Sequence, residues 1–340
     1  MVLGSRNFSP WAQWMARLEA TSHEDPFPRC ALEDLEHWRH RRRERLTELL
    51  GRFPERVPLS AQVVETVACD TYQRDKVVFD TEDTMSVPAY LLRPYGAHQR
   101  RPAVLALHGH GPGKAEICGL TATTAPGGHY AVELAERGFV VLAPDLRCFG
   151  ERWDALPPSR YACDTNLVHA LMAGWAPLTQ NLWDLMRCID LLQEDESIDP
   201  ARIGVAGFSY GGTMSLFLAA YDQRVAAAVV SGYVSSWASS HAVPLNMCGS
   251  QVLPGMLGRL EHFDVAALIA PRPLLVETGV DDPLFSRDAA VTTVERLRGV
   301  YSALGAPGHL VHDLFSGGHQ WHGEAAYPFL VRHLTAEGGP

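Results

Sequence analysis

The sequence predicts a doubly wound α/β fold, with a mostly parallel sheet, antiparallel strands along its N-terminal edge and a helical extension ahead of it. Three observations carry that prediction. Short apolar runs at 103–107, 139–143, 203–206, 225–230 and 273–277 are each followed by helix-like sequence. Continuous apolarity over about five residues means burial on both faces, the state of a strand in a parallel sheet covered by helices. Ahead of them, β-like runs at 62–68, 74–80 and 87–93 are spaced as antiparallel strands at one edge. Finally, 340 residues with 46% hydrophobic content can bury one large core.

Residues 9 to about 50 read as helix, with Trp11, Trp14, Met15 and Leu18 at helical spacing, then Leu32, Leu35, Leu46, Leu49 and Leu50 among charges. Gly51, Pro54 and Pro58 punctuate its end. The expected organisation is therefore a helical extension over 1–58, serving as a lid or dimer contact, and a catalytic domain over 59–340. Leu182, Leu185, Met186, Ile189 and Leu192 form an apolar helical stripe, and Ala289, Val291, Val294, Leu297 and Val300 form another. A last strand is expected over 309–315. No internal repeat interrupts this order.

A net charge of −10 argues against a general nucleic-acid binder, since phosphate backbones demand a positive surface. The basic cluster Arg39, His40, Arg41, Arg42, Arg43 and Arg45 reads as a solvated helix face. There is no signal-peptide pattern and no apolar run long enough to span a bilayer, so a soluble cytoplasmic protein without membrane partners is expected. Seven scattered cysteines without a C-x-x-C pair fit reduced, mostly buried thiols. A homo-oligomer built through the N-terminal helices is compatible with this composition.

The chemistry gathers where strands end, because a parallel sheet binds its ligand beyond the carboxyl ends of its strands. The run at 203–206 leads into Gly207-Phe208-Ser209-Tyr210-Gly211-Gly212 and then helix, a strand–turn–helix with serine at its apex. The glycines remove the atoms that would clash at so sharp a turn, which is the physical content of a nucleophile elbow. After 103–107 comes His108-Gly109-His110-Gly111-Pro112-Gly113-Lys114. It lacks the glycine spacing and the Ser or Thr of a phosphate loop. It reads instead as a turn whose N–H groups at His110 and Gly111, with that of Tyr210, form an oxyanion hole. His108 and the His110 ring then pack or shape the cleft.

The loop after 139–143 holds Asp145, Arg147, Glu151 and Arg152. Glu151 and Arg152 are candidate substrate contacts, with mutual ion pairs bracing the loop as the competing reading. An irregular insert is expected from Trp153 to Trp175, supplying pocket walls and Trp175 as a contact. After 273–277 two adjacent aspartates compete for the role of acid. Asp282 is favoured because Pro283 forces it away from helical geometry, while Asp281 braces the turn. After the last strand, His319 or His322 is the base, and His319 follows two glycines directly. Their His-x-x-His spacing has no third ligand with zinc-type spacing, so no metal is expected there. Trp321, between them, is a further candidate contact.

The order Ser209, Asp282, His319 is the Ser…Asp…His order of α/β-hydrolases. The chain resembles that superfamily, and within it the dienelactone-hydrolase-like and acetyl-xylan-esterase-like branch, related to prolyl-oligopeptidase catalytic domains. The likeness runs from about residue 70 to the C-terminus. It rests on Leu107-His108-Gly109-His110-Gly111, Leu142-Ala143-Pro144-Asp145, Phe149-Gly150-Glu151-Arg152, the elbow segment from Arg202 to Gly212, Ile269-Ala270-Pro271-Arg272-Pro273-Leu274-Leu275, Gly279-Val280-Asp281-Asp282-Pro283-Leu284-Phe285 and Gly317-Gly318-His319. It implies a nucleophile at Ser209, an acid at Asp282 and a base at His319. Dienelactone hydrolases proper use cysteine where Ser209 stands, and Cys148 replaces a common glycine. The expected reaction is hydrolysis of a small carboxylic ester through an acyl-enzyme, without cofactor. Amide or C–C bond hydrolysis with the same residues, or a silent hydrolase fold used for binding, are the alternatives.

Overall fold

The structure, a computed structural model, describes residues 6–21, 32–96, 100–123, 126–154, 162–240 and 248–335. Its strands are β1 (Gln62–Ala68), β2 (Tyr72–Glu82), β3 (Met85–Pro94), β4 (Arg101–Leu107), β5 (Val140–Pro144), β6 (Ile198–Phe208), β7 (Ala227–Ser231), β8 (Leu274–Gly279) and β9 (Leu310–Phe315). They form one sheet in the order β1-β2-β3-β5-β4-β6-β7-β8-β9. β1, β2, β3 and β5 pair antiparallel in turn, and every pairing from β5 to β9 is parallel. The expected class and its antiparallel edge are therefore present.

The helices are α1 (Pro10–Ala20), α2 (Leu32–Leu50), α3 (Lys114–Ile117), α4 (Tyr130–Glu136), α5 (Ala162–Met172), α6 (Pro177–Glu194), α7 (Tyr210–Tyr221), α8 (Trp237–Ser240), α9 (His262–Ala267), α10 (Arg287–Ala303) and α11 (Ala326–Leu334). They cover both faces of the sheet. Within β4, Ala103, Leu105 and Leu107 join one core while Val104 and Ala106 join the other, as the two-residue period of a strand requires. The first core takes in α2, α6, α7, α9 and α10; the second takes in α4 and α11. This two-sided burial explains why the central strands read as unbroken apolar runs. No described helix is long and apolar enough to cross a membrane.

Three expectations change here. The basic cluster is not simply a solvated face, because Arg39 and Arg42 of α2 are buried. Arg39 donates to the carbonyl of Ala270, and Arg42 Nη1 donates to that of Arg259 at 2.9 Å. Their guanidinium groups satisfy carbonyls of neighbouring segments while Leu35, Trp38, Leu46 and Leu49 of the same helix enter the first core. Trp38 lies 5.7 Å from Phe263 of α9. Hence α2, placed in the expected 1–58 extension, packs as part of the sheet domain, whereas α1 buries no residue. The insert from Trp153 to Trp175 contains α5, so it is not irregular throughout; its residues 155–161 lie outside the described ones.

Candidate active site

The end of β6 delivers Ser209 into a backbone conformation that a side chain rarely adopts, φ 57° and ψ −116°. What makes the turn possible is the absence of side chains beside it. A β-carbon on Gly207 would lie 2.3 Å from the Gly211 carbonyl oxygen, and one on Gly211 would lie 1.8 Å from that of Leu107. Ser209 N–H completes the ladder by donating to Ser231 O at 2.9 Å. Tyr210 then opens α7, where the first N–H groups of a helix lack intrahelical acceptors.

The other two strand ends converge on this serine. His319 Nε2 lies 2.9 Å from Ser209 Oγ, and His319 Nδ1 lies 2.8 Å from Asp282 Oδ2. The second carboxylate oxygen of Asp282 accepts from Leu284 N–H at 2.8 Å and Phe285 N–H at 3.1 Å, an Asx-type turn that Pro283 helps to set. That carboxylate is 2% exposed, whereas Asp281 is an exposed residue whose backbone N–H donates to Gly317 O. Asp282 thus meets the histidine, while Asp281 ties the β8 loop to the β9 loop. Phe208 and Phe285 pack against the His319 ring, with centroids 4.6 and 5.6 Å away.

His322 takes a different place. Its Nδ1 lies 2.7 Å from Asp313 Oδ2 and its ring stacks on Phe315. Glu277, buried within β8, accepts from Gly323 N–H at 2.8 Å and from His322 N–H at 3.3 Å. Burial pushes its carboxyl above the usual range, and these N–H donors offset only part of that. Glu277 braces the turn just beyond His319. Sequence reading passed over it as the last residue of a strand, although an acid ending an apolar run was the available signal.

The two charged candidates after β5 do not border the cavity above Ser209. Asp145, fully buried, accepts from the backbone N–H groups of Lys114 and Glu151 and pairs with the Lys114 ammonium. Glu151 binds Lys114 at 2.6 Å and Lys76 at 2.5 Å, while Arg152 and Arg147 share Asp184 at 2.9 and 2.8 Å. Burial alone would raise the Asp184 pKa, but the two guanidinium groups outweigh it and leave it at about 2. Glu151 and Arg152 are thereby consumed in bracing the loop, which corrects their assignment as substrate contacts. Trp175 is corrected too: its ring lies under the Arg52 guanidinium at 4.4 Å and is not part of the cavity wall.

Above Ser209 and His319 lies a cavity of about 310 Å³. Its wall includes Gly109, His110, Glu116, Asp164 and Trp321. Trp321 takes part through a buried ring stacked on Tyr130 at 4.3 Å. A β-carbon on Gly109 would sit 3.2 Å from that of Ser209, so the β4 loop passes directly beside the elbow. Gly111 is set back against Glu116 and does not border the cavity. His108 is buried, with Nδ1 donating to Gly109 O at 2.7 Å and Nε2 accepting from Leu146 N–H at 3.0 Å. Burial lowers its pKa, which keeps the ring neutral as a clamp between the β4 and β5 loops.

A doubly wound sheet with antiparallel edge strands, a serine on a strained β6–α7 elbow, and an acid and histidine on the loops after β8 and β9 together define an α/β-hydrolase fold. Residues 20–296 match the Abhydrolase family, and the chain belongs to that family. Its similarity to YtaP of Bacillus subtilis is 28% identity over 276 residues, 79% of this chain and 89% of that one. Among solved structures, a glucuronoyl esterase from Solibacter usitatus superposes with a TM-score of 0.67 at 15% identity, covering 91% of this chain and 96% of that one. An acetyl xylan esterase from Paenibacillus sp. R4 superposes with a TM-score of 0.58 at 20% identity, covering 94% and 99%.

Proposed function

We propose that the protein is a serine hydrolase that cleaves a small, uncharged carboxylic ester through an acyl-enzyme. The observation that carries this reading is the continuous chain from Ser209 Oγ through His319 to Asp282, with links of 2.9 and 2.8 Å, at the floor of a cavity. His319 Nε2 takes the hydroxyl proton as Ser209 attacks the ester carbonyl, and Asp282 holds the imidazole in the tautomer that can do so. The N–H groups of Tyr210 and His110 receive the oxyanion. His319 returns its proton to the leaving alcohol, and water repeats the cycle to free the acid.

The wall supports an uncharged substrate. Among the described residues of the wall, Asp164 carries a carboxyl group and none is lysine or arginine, so an anionic acyl group finds no cationic partner among them. The named esterases of similar fold suit the same chemistry, with polar, carbohydrate-linked esters as the first class to try. A fluorophosphonate probe tests the reading: the wild type is labelled and Ser209→Ala is not. Labelling of neither, together with no turnover of p-nitrophenyl acetate, acetylated sugars or methyl uronates, overturns it.

A further inference from the structure

Against the outer side of the cavity wall, four side chains with soft or imidazole ligand atoms converge from segments far apart in sequence. His110 stands in the loop after β4, Cys148 in the loop after β5, Cys163 in the first turn of α5, and Cys248 at the cap of the turn Gly249–Gln251. A ring nitrogen of His110 and the Sγ atoms of Cys163 and Cys248 all lie within 4.8 Å of one another. Cys148 adjoins Cys163 at the edge of this group, outside the 4.8 Å spacing that the other three share.

Simple packing does not account for it. A buried free cysteine ordinarily behaves as a small apolar side chain, and nothing about apolar filling requires three thiols to meet an imidazole. Cys148 moreover adopts φ 73°, in the left-handed region that favours glycine. Among the described non-glycine residues only Ser60 and Ser209 share a positive φ. Strain of this kind persists where surrounding structure holds a side chain in place for a purpose, as it does at Ser209. The cluster is also supported from outside. Ser250 N–H donates to Cys248 Sγ at 3.4 Å, and the His110 ring is held between Phe149 and Tyr210, with centroids 5.1 Å from each.

We propose that Cys148, Cys163, Cys248 and His110 bind a single thiophilic divalent cation, zinc foremost, as a closed four-ligand site behind the cavity wall. A tetrahedral zinc ion with Zn–S bonds of about 2.3 Å holds its ligand atoms roughly 3.8 Å apart, a small contraction for His110, Cys163 and Cys248, with Cys148 turning in from beside Cys163 to complete the set. Binding displaces the thiol protons to solvent and leaves thiolates on the ion. His110 and Cys248 border the cavity, which gives the ion its route in. With all four positions taken by protein, the ion is structural and holds no substrate. Its effect is to clamp the β4 and β5 loops to α5 and the 248–251 turn, fixing the segment that carries the His110 N–H. Scattered at 110, 148, 163 and 248, the ligands leave no spacing signature in the sequence.

The test uses the full chain, grown with zinc and then dialysed against metal-free buffer. About one zinc per chain is expected. Cobalt reconstitution should give thiolate charge-transfer absorption and the strong red bands of tetrahedral cobalt. Cys163→Ser and Cys248→Ser should lose both metal and spectrum, whereas Cys69→Ser, outside the cluster, keeps both. Should the variants fail to fold, alkylation of the wild type decides: three thiols resist iodoacetamide with zinc and react after chelation. The proposal is overturned by reconstituted protein holding less than about 0.1 zinc per chain, by a weak octahedral cobalt spectrum, by metal retained in Cys163→Ser, or by a disulfide among these cysteines in freshly reduced protein.

Discussion

Two polar regions at the carboxyl edge of the sheet behave in opposite ways. In the loop after β5, Asp145, Arg147, Glu151 and Arg152 each find protein partners of opposite charge, and none of them borders the cavity. In the loops after β6, β8 and β9, polar groups are also hydrogen-bonded, but the chain of bonds ends at Ser209 Oγ on the cavity floor. Both arrangements fix side chains by mutual contact. The difference is where the network stops, inside the protein in one case and at a hydroxyl on the cavity floor in the other. A charged residue near a cleft therefore says little until its partners are counted, because a fully paired group has nothing left to offer a substrate.

The sharpest way to break this contrast is to change one acid in each region. Asp282→Asn should lower kcat by about 10⁴-fold, roughly 5 kcal/mol of transition-state stabilisation, while Asp281→Asn stays within about threefold. Ester hydrolysis by both purified variants settles it, and comparable losses would mean that the adjacent aspartates share the role. Asp184→Asn should do the reverse. It leaves Arg147 and Arg152 short of their shared buried partner, so denaturation should report a loss of about 3 kcal/mol with kcat unchanged in the folded protein.

Acid titration sharpens the same point. The Asp184 pKa falls from 3.8 to about 2 on folding, so the folded state binds this proton more weakly than the unfolded one. Its contribution, about 2 kcal/mol, is fully present above pH 4 and is lost as pH falls through 2. Stability of wild type minus Asp184→Asn, followed from pH 5 to pH 2, should shrink over that window; a constant difference would place the effect in packing rather than charge. The smallest effect is expected at Glu151, whose side chain is 44% exposed. Glu151→Gln should cost less than about 1 kcal/mol and leave KM unchanged. A raised KM with normal stability would return it to the substrate-binding surface.

How far the sequence reaches is visible in particular residues. The elbow is legible because its constraint is local: Gly207 and Gly211 must lack β-carbons within two residues of Ser209, whatever surrounds them. Chain order carried Asp282 and His319, since each strand-end loop has a fixed place along the chain, and Pro283 was enough to favour one aspartate over its neighbour. Glu277 was missed because its work is to accept two N–H groups from a turn 45 residues away. Arg39 and Arg42 read as solvated because burial of a guanidinium depends on carbonyls that belong to other segments.

By itself, then, the sequence determined the layered fold, the strained serine and the order in which an acid and a histidine follow it. These rest on periodicity and steric rules acting over a few residues. Only the tertiary structure decided which charges pair off, which tryptophan borders the cavity, that α2 enters the core, and that two cysteines and a histidine meet at the wall. Each of those is a contact between residues tens to hundreds of positions apart, and no local pattern encodes a partner that far away.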